Sequence, residues 1–431
     1  MTARPGLASA LLNHAYADDA DATPASDTLL INEQSRWLES RGERVIKFGF
    51  GQSPFPVYGP AVEALARYAD QKAYLPVQGL PTLRDRVASF HSELDGTPWQ
   101  SSRVLVGPGS KLLLFALIKA LPEAEILIPA PAWVSYAPQA RLAGQTATKL
   151  AASFDTRWQI TPEQLEAHCR EGGSRTRLLI LNAPGNPTGL SPDSETQRAL
   201  AEVARRHGVI VLADEIYGPL DHHGSHRAFA RDYPEGTVTT SGLSKWCGAG
   251  GWRLGVMHVP DALGGELFAR LLGIASETWS SVASPIQEAA CVAYRMSPEL
   301  TNYLERQRAW LGLIGHWCAG RLQAAGVRTP LPDGGFYLFP DFDAHRAALA
   351  GIGITTSAEL TARLLKETGV ALLPGSAFGC DPSQLTVRLA YVDFDGEALL
   401  EHCPQRYDDP MGLPALDKVR GGIQAIEEWL P

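Results

Sequence analysis

Cysteine is scarce in this sequence, and none of its six cysteines stands in a C-x-x-C pair. Such pairs supply the thiolate ligands of many structural zinc sites, and dense cysteine spacing is typical of the disulfide frameworks of small secreted domains. We therefore expect no metal ion among the cofactors, no disulfide framework, and a location in the reducing cytoplasm.

Long apolar runs and excess positive charge are also missing. The longest apolar candidate covers residues 112–121 and is interrupted by Lys119, so we expect no membrane span. Residues 1–21 lack the basic start and apolar centre of a signal peptide. The chain has 38 Lys and Arg against 47 Asp and Glu, and this net charge of −9 argues against binding nucleic acid by bulk charge.

Lysine is the third scarcity, because only eight of the 38 basic residues are Lys. A lysine in an unusual setting is therefore easy to single out. Hydrophobic residues make up 45% of the chain and charged residues 20%, as in folded globular proteins. The 431 residues leave room for two or three domains.

Short apolar segments alternate with helical patterns in the middle of the chain. Such segments are typical of strands buried on both faces, and their alternation with helices predicts a mainly parallel sheet covered by helices. A long helical stretch near 298–325 then leads to a second set of elements, which predicts a smaller domain. The predicted strands of the first set are 104–106, 126–128, 178–181, 209–212 and 237–240, and the second set covers 336–339, 357–367, 369–373 and 385–391.

Ligands of open α/β sheets bind outside the carboxyl ends of the strands, so the residues after each strand are informative. Gly107-Pro-Gly-Ser110-Lys111 opens a helix and could hold an anion on backbone N–H groups, although a plain helix start remains the alternative. Residues 182–189 are dense in turn formers and could equally be a surface turn. Asp214 ends a buried strand, where a carboxylate needs a cation or several donors unless it merely caps a helix.

Two basic residues stand in unusual surroundings. Lys245 lies in a loop rich in Gly, Ser and Trp, where a desolvated amine would have a lowered pKa and be nucleophilic. We therefore select it for Schiff-base chemistry. Arg388 interrupts the apolar strand 385–391, which points either to a bound anion or to a structural salt bridge.

The order of these motifs resembles that of class I aminotransferases, which are pyridoxal-phosphate (PLP) enzymes of fold type I, the aspartate aminotransferase superfamily. The resemblance covers roughly residues 28–400. It implies an α/β fold with a large PLP-binding domain around the mainly parallel sheet, and a smaller α+β domain built from both ends of the chain. The matching residues are Asn186-Pro-Thr-Gly189, Asp214 with Tyr217, Ser244-Lys245, Arg253 and Arg388.

The resemblance also implies the cofactor contacts. Lys245 would bind PLP as a Schiff base and act as the base at the substrate α-carbon. Asp214 and Tyr217 would assist it in catalysis. The expected contacts are Ser110, Lys111, Ser244 and Arg253 at the phosphate, Asp214 at the pyridinium nitrogen, Tyr217 and Asn186 at the phenolic oxygen, and Trp133 against the ring, with a core tryptophan as the alternative.

The substrate and the partner subunit are implied in the same way. Arg388, with Gly51 and Asn186, would hold the substrate α-carboxylate. Lys111 would meet a distal carboxylate, or else only add charge near the phosphate. The matching of Tyr74 to a residue that reaches the neighbouring subunit's phosphate implies a homodimer with shared active sites. The alternative to an acidic substrate is an aromatic or aliphatic donor facing Phe50, Phe55 and Trp133.

The resemblance divides the chain into an N-terminal arm (1–27), a small domain (28–57 and 312–431) and a large PLP-binding domain (58–311). Two places depart from the pattern. Gly242 stands where a serine is frequent, which makes Ser241 doubtful as a phosphate ligand, and residues 403–412 look inserted before the last helix.

The predicted reaction is ping-pong transfer of an amino group between an amino acid and a 2-oxo acid, with glutamate and 2-oxoglutarate as one pair. The alternative is another reaction of the same cofactor, namely C–S β-elimination, cyclisation or decarboxylation. A non-enzymatic regulator would need an added DNA-binding domain, for which about 28 residues before the fold are too few.

Overall fold

The computed structural model describes residues 27–171 and 175–431. The predicted arm lies outside this range except for Asp27, which begins the first helix. No helix within the described ranges is long and apolar enough to cross a bilayer.

A seven-stranded sheet forms the centre of the molecule. Its strand order is β2-β8-β7-β6-β5-β3-β4, and all neighbours are parallel except β8, which is antiparallel to both β2 and β7. Its strands are β2 (Val104–Gly107), β3 (Glu125–Ala130), β4 (Thr146–Ala151), β5 (Arg177–Asn182), β6 (Ile210–Asp214), β7 (Thr237–Gly242) and β8 (Gly255–His258).

Both faces of this sheet are buried, as the apolar segments predict. In β5, Leu178 and Ile180 pack into one hydrophobic cluster, whereas Leu179 packs into a second cluster. In β6, Leu212 and Val211 divide between the same two clusters, because successive strand residues point to opposite faces. The predicted α/β class with a mainly parallel sheet between helices is confirmed.

Helices cover the sheet and connect its strands. The longest helix, Pro298–Ala324, is capped by Ser297, whose side chain accepts a hydrogen bond from the Leu300 N–H. The helices are α1 (Asp27–Ser40), α2 (Gly59–Arg67), α3 (Pro81–Asp95), α4 (Ser110–Ala120), α5 (Tyr136–Leu142), α6 (Pro162–Glu171), α7 (Ser194–Arg206), α8 (Gly264–Thr278), α9 (Ser284–Ala293), α10 (Pro298–Ala324), α11 (Arg346–Gly351), α12 (Ser357–Thr368), α13 (Gly396–Leu400) and α14 (Asp417–Trp429).

Short strands from both ends of the chain form two smaller sheets. The strand β1 (Ile46–Lys47) pairs in parallel with β10 (Val370–Ala371), so the first and last parts of the chain meet. The strand β12 (Val387–Ala390) lies antiparallel between β11 (Leu373–Pro374) and β9 (Tyr337–Leu338). This arrangement is compatible with the predicted small domain, whose boundaries remain a prediction.

The segment 403–412 is folded against its neighbours. It contains two short 3-10 turns, and Met411 in the second of them is buried. The Arg420 guanidinium of α14 donates to the Met411 carbonyl over 2.6 Å, and Trp310 of α10 donates to the His402 carbonyl over 2.8 Å. The segment therefore contacts α10 through its first turn and α14 through the Met411 carbonyl.

Candidate active site

A cavity of about 210 Å³ lies at the carboxyl ends of the central parallel strands. A larger open cleft, of about 740 Å³ and lined among others by Asp193 and Arg227, contains none of the predicted site residues. All but one of those residues line the smaller cavity: Gly51, Ser110, Lys111, Trp133, Asn186, Asp214, Tyr217, Ser244, Lys245, Arg253 and Arg388.

Tyr74 is the predicted site residue that does not reach this cavity. Its side chain is 94% exposed in the single chain. The sequence predicts that Tyr74 reaches the neighbouring subunit's site, and a side chain that does so must project away from its own chain.

Lys245 follows β7 and is partly buried in the cavity. Its Nζ donates a hydrogen bond to the Gly51 carbonyl over 2.8 Å. Desolvation lowers the pKa of this amine, with Arg388 and Arg253 adding to the effect and Tyr337 and Asp214 opposing it. A larger neutral fraction of the amine makes it both a nucleophile and a base.

Asp214 ends β6 and is buried. The Tyr136 hydroxyl donates to its Oδ2 over 2.7 Å, and the Thr240 hydroxyl contacts its Oδ1 over 3.3 Å. Burial nevertheless raises its pKa to about 6, because these donors and Lys245 only partly offset desolvation. Within the described residues no basic group forms an ion pair with this carboxylate, so a ring nitrogen that carries a proton would fit there.

The loop 182–189 is tied to the same strand end rather than lying on the surface. The Asn182 side chain donates to the Asp214 carbonyl over 2.6 Å and accepts from the Asn186 N–H over 2.7 Å. The Asn186 Oδ1 in turn accepts from Arg388 over 3.1 Å. These bonds fix the side chain of Asn186 between the strand ends and Arg388.

The start of α4 forms a cationic cradle together with Arg253. Gly109 has φ +81°, and a Cβ there would lie 2.4 Å from the Arg253 Nη2. A Cβ on Gly255 would lie 2.3 Å from the Ser110 nitrogen, so both glycines permit a close approach. Neither Lys111 nor Arg253 has an acidic partner among the described side chains, and a helix start with two free cations suits a phosphate.

Arg388 lies in β12 and is 1% exposed. It donates to Asn186 and, over 2.6 Å, to the Gly49 carbonyl, while its Nε has no hydrogen-bond partner. No carboxylate of the described chain pairs with it, so the structural salt bridge considered as the alternative is not formed. Desolvation lowers the pKa of this guanidinium, and an anion in the cavity would offset that cost.

Trp133 and Phe50 form apolar walls of the cavity. The Lys111 Nζ lies 5.4 Å from the centre of the Trp133 ring. Trp133 is half-buried, so it is not the fully buried core tryptophan of the alternative interpretation. Phe55 was considered as a further wall, but it is buried against Phe394 and does not line the cavity.

Tyr337, which no feature of the sequence singled out, lines the cavity from β9. Its hydroxyl lies 2.9 Å from the Tyr217 hydroxyl, and its ring lies 4.9 Å from the Arg388 guanidinium. A Cβ on Gly51 would lie 1.9 Å from this hydroxyl, which explains why a glycine stands there. Tyr136 was also missed as the donor to Asp214. The doubtful Ser241 is buried in β7 and does not line the cavity.

Comparisons with known proteins identify the family of the chain. The family model for aminotransferase class I and II matches residues 43–397. The chain is 33% identical over 381 residues to the aspartate aminotransferase of Geobacillus stearothermophilus, which covers 86% of this chain and 93% of that protein. It is 32% identical over 394 residues to the aspartate/prephenate aminotransferase of Cereibacter sphaeroides, with 88% and 94% covered.

A solved structure has the same fold. The aspartate aminotransferase from Thermus thermophilus with maleate superposes with a TM-score of 0.81 at 25% identity, covering 99% of this chain and 100% of that chain. The matched family segment contains every residue of the candidate cavity. The chain therefore belongs to the class I and II aminotransferases and is a PLP-dependent transaminase of fold type I.

Proposed function

We propose that this transaminase uses glutamate and 2-oxoglutarate as one substrate pair, and that Lys245, Asp214 and Tyr217 form its catalytic centre. The observation that carries the proposal is the Arg388 guanidinium, which is buried without a carboxylate partner and lines the same cavity as the Lys245 amine. An amino acid brings both the carboxylate and the α-carbon that these two groups need.

The residues that would hold PLP follow from the contacts above. Ser110, Lys111, Ser244 and Arg253 would hold the phosphate, and Asp214 the ring nitrogen. Tyr217 and Asn186 would meet the phenolic oxygen, with Trp133 against the ring. Bound PLP supplies an electron sink that stabilises negative charge at the substrate α-carbon. PLP fits the cavity by charge. Its protonated ring nitrogen would pair with Asp214, and its phosphate would pair with the cationic cradle, neither of which has an oppositely charged partner among the described side chains.

Proton transfer would fall to Lys245. Its lowered pKa leaves more of the amine neutral near pH 7, so Nζ can accept the proton of the substrate α-carbon and later return it. Arg388 would hold the α-carboxylate so that the α-carbon stays within reach of Nζ. The Tyr217 and Tyr337 hydroxyls contact each other. Together they would hold the phenolic oxygen of the PLP ring and border the cavity beside it.

The preference for a dicarboxylate is supported by Lys111. This lysine lines the cavity near Trp133 and has no acidic partner among the described side chains. Desolvation and the nearby Arg253 lower its pKa, which an additional carboxylate would reverse. The Thermus thermophilus relative was solved with maleate, which is a dicarboxylate. The second amino donor stays open, since Phe50 and Trp133 also offer an apolar wall.

The test is kinetic. Lys111→Ala should lower kcat/KM for glutamate and aspartate by about 10- to 150-fold more than for neutral amino acids, as expected for one charge-assisted hydrogen bond of ~1.5–3 kcal/mol. Lys149→Ala, which alters an exposed lysine bound to the Gly379 carbonyl, is the matched control. Equal losses for both substrate classes would assign Lys111 to the phosphate alone. A panel of amino acids monitored by the PLP absorbance identifies the other donor.

We also propose that the protein is a cytoplasmic homodimer that binds neither nucleic acid nor membrane. The exposed Tyr74 supports the dimer, because its predicted partner is a phosphate in the other subunit. The domain boundaries 28–57 with 312–431 and 58–311 belong to the same proposal, with the pairing of β1 and β10 as support.

A further inference from the structure

A cluster of ionisable side chains lies buried beside the end of β6 and outside the candidate active site. Asp95 ends α3, Glu215 directly follows Asp214, and His226 comes after the 3-10 turn Gly218–Leu220. All three residues are buried, and one ligand atom from each lies within 4.8 Å of the other two. Because Asp214 points into the cavity, Glu215 is directed away from it.

The two central atoms of this cluster contact each other and have no further partner. Glu215 Oε2 and His226 Nε2 lie 3.3 Å apart as a buried pair, their side chains are 6% and 4% exposed, and neither atom forms a hydrogen bond to any other described group. Two ligand atoms about 2.1 Å from a tetrahedral metal ion lie about 3.4 Å from each other. The observed separation therefore fits two ligands of one ion, as it also fits a direct ion pair.

The surrounding contacts hold these side chains in place. The Phe229 N–H donates to Glu215 Oε1 over 2.8 Å, which leaves Oε2 free. A Cβ on Gly218 would lie 2.8 Å from the His226 ring, so the glycine admits the imidazole. His91 Nδ1 lies 3.2 Å from Asp95 Oδ2, as in the outer carboxylate–histidine contacts that orient metal ligands.

The charges at this place favour a cation. Asp95 and Glu215 place two buried carboxylates beside the His226 imidazole, and one divalent ion would cancel the charge of −2 that the two ionised carboxylates carry. An imidazole ligand favours zinc and similar transition metals over magnesium and calcium.

We propose that Asp95, Glu215 and His226 form a binding site for one divalent transition metal ion of the zinc type, with His91 supporting Asp95. The site contains no cysteine, so the cysteine spacing that predicted no metal does not bear on it. Since the Glu215 N–H donates to the Thr240 carbonyl over 2.9 Å, an ion held by Glu215 fixes the strand ends that carry Asp214 and Thr240.

The test uses the PLP-loaded protein after treatment with a chelator and dialysis into metal-free buffer. Titration calorimetry with ZnCl₂ should give one equivalent. Co²⁺ should give the visible d–d bands of a nitrogen- and oxygen-ligated ion, without the near-ultraviolet charge-transfer band of a thiolate ligand. Glu215→Gln keeps the acceptor for Phe229 and removes the charge, so it should weaken binding by at least about tenfold. His168→Gln alters a less buried histidine paired with Glu125 and should leave binding unchanged.

The wild-type protein alone can overturn the proposal, whether or not the variant folds. Absence of stoichiometric Zn²⁺ binding and of Co²⁺ bands would mean that protons alone neutralise the cluster. A thiolate band would place the ion at a cysteine instead. Equal affinity of folded Glu215→Gln and wild type would likewise reject the site. Concentration-dependent stabilisation against heat by Zn²⁺ but not by Mg²⁺ would support it.

Discussion

Asp214, Lys245 and Arg388 line one cavity, and each lacks an oppositely charged partner within 4.0 Å in the described part of the chain. A buried charge without a partner destabilises the folded protein unless a ligand supplies the opposite charge. The pKa values of all three groups are shifted toward the neutral form by desolvation. Cofactor and substrate binding should therefore stabilise this protein strongly.

Asp214→Asn should separate the destabilisation caused by the buried unpaired carboxylate from the stabilisation that cofactor binding supplies. The pKa of Asp214, raised to about 6, means that the cofactor-free folded protein binds this proton more tightly than the unfolded chain. Stability of the cofactor-free protein therefore falls as the pH rises from about 4 to 6, by up to about 3 kcal/mol. At pH 7.5 the cofactor-free variant should melt at a higher Tm than wild type.

With PLP bound, wild type should melt at a higher Tm than Asp214→Asn, because the Asp214 carboxylate then has a cationic partner. Calorimetric scans of both forms at pH 7.5 measure the difference. Asp193→Asn, which alters an exposed helix cap, is a control for the loss of a carboxylate. A cofactor-free Asp214→Asn protein that melts below wild type would contradict the expectation.

Single residues differed in how far the sequence could predict them. Lys245 and Arg388 stand out because a basic residue is rare in such apolar surroundings. Tyr337 gave no such signal, since it lies in the apolar run Phe336–Phe339 and a tyrosine there is an ordinary core residue. Its importance depends on contacts with Gly51 and Tyr217, which only the tertiary structure brings together.

Among the elements, five strands of the central sheet were predicted, four from apolar runs and one from the β-branched segment 237–240, and two strands were not. The strand β4 lies at the sheet edge and has mostly exposed or half-buried residues, so it has no apolar run. The strand β8 has four residues and follows directly on the Gly-rich loop after Lys245, so it was interpreted as part of that motif. Edge position removed the signal of β4, and short length removed that of β8.

Thr356→Ala tests how one helix supports the smaller sheets. Thr356 and Glu359 form a reciprocal capping box at the start of α12, and α12 packs on β10 and β11. Loss of the cap should reduce the free energy of unfolding by about 1 kcal/mol and leave kcat unchanged. Ser89→Ala removes an exposed hydroxyl from α3 and should change stability by less than about 0.5 kcal/mol. Denaturant unfolding monitored by tryptophan fluorescence measures both variants, and equal stabilities would argue against a role for the cap.

For the whole molecule, the proposed shared active site predicts complementation between inactive variants. Lys245→Ala lacks the proposed catalytic amine, and Tyr74→Ala lacks the proposed contact with the partner's phosphate. In a mixed dimer, one of the two sites receives Lys245 from one chain and Tyr74 from the other, and so is intact. Random exchange should restore about a quarter of wild-type activity, because half of the dimers are mixed and each has one intact site.

The control is a mixture of Lys245→Ala with Arg388→Ala. Both residues line the cavity of a single chain, so every site of a mixed dimer lacks one of them and activity should stay absent. Sedimentation of the wild type checks the dimer itself. An active monomer, or a mixture with Tyr74→Ala that recovers nothing, would rule out the shared site.

The pairing of β1 with β10 has a consequence for synthesis on the ribosome. The residues of the proposed phosphate cradle and ring contacts lie between Ser110 and Arg253, whereas the carboxylate grip needs Gly49 from the beginning and Arg388 from near the end of the chain. A growing chain thus contains every residue of the proposed anion cradle well before it contains Arg388. The proposed site for the substrate α-carboxylate is therefore the last part of the cavity to be completed during synthesis.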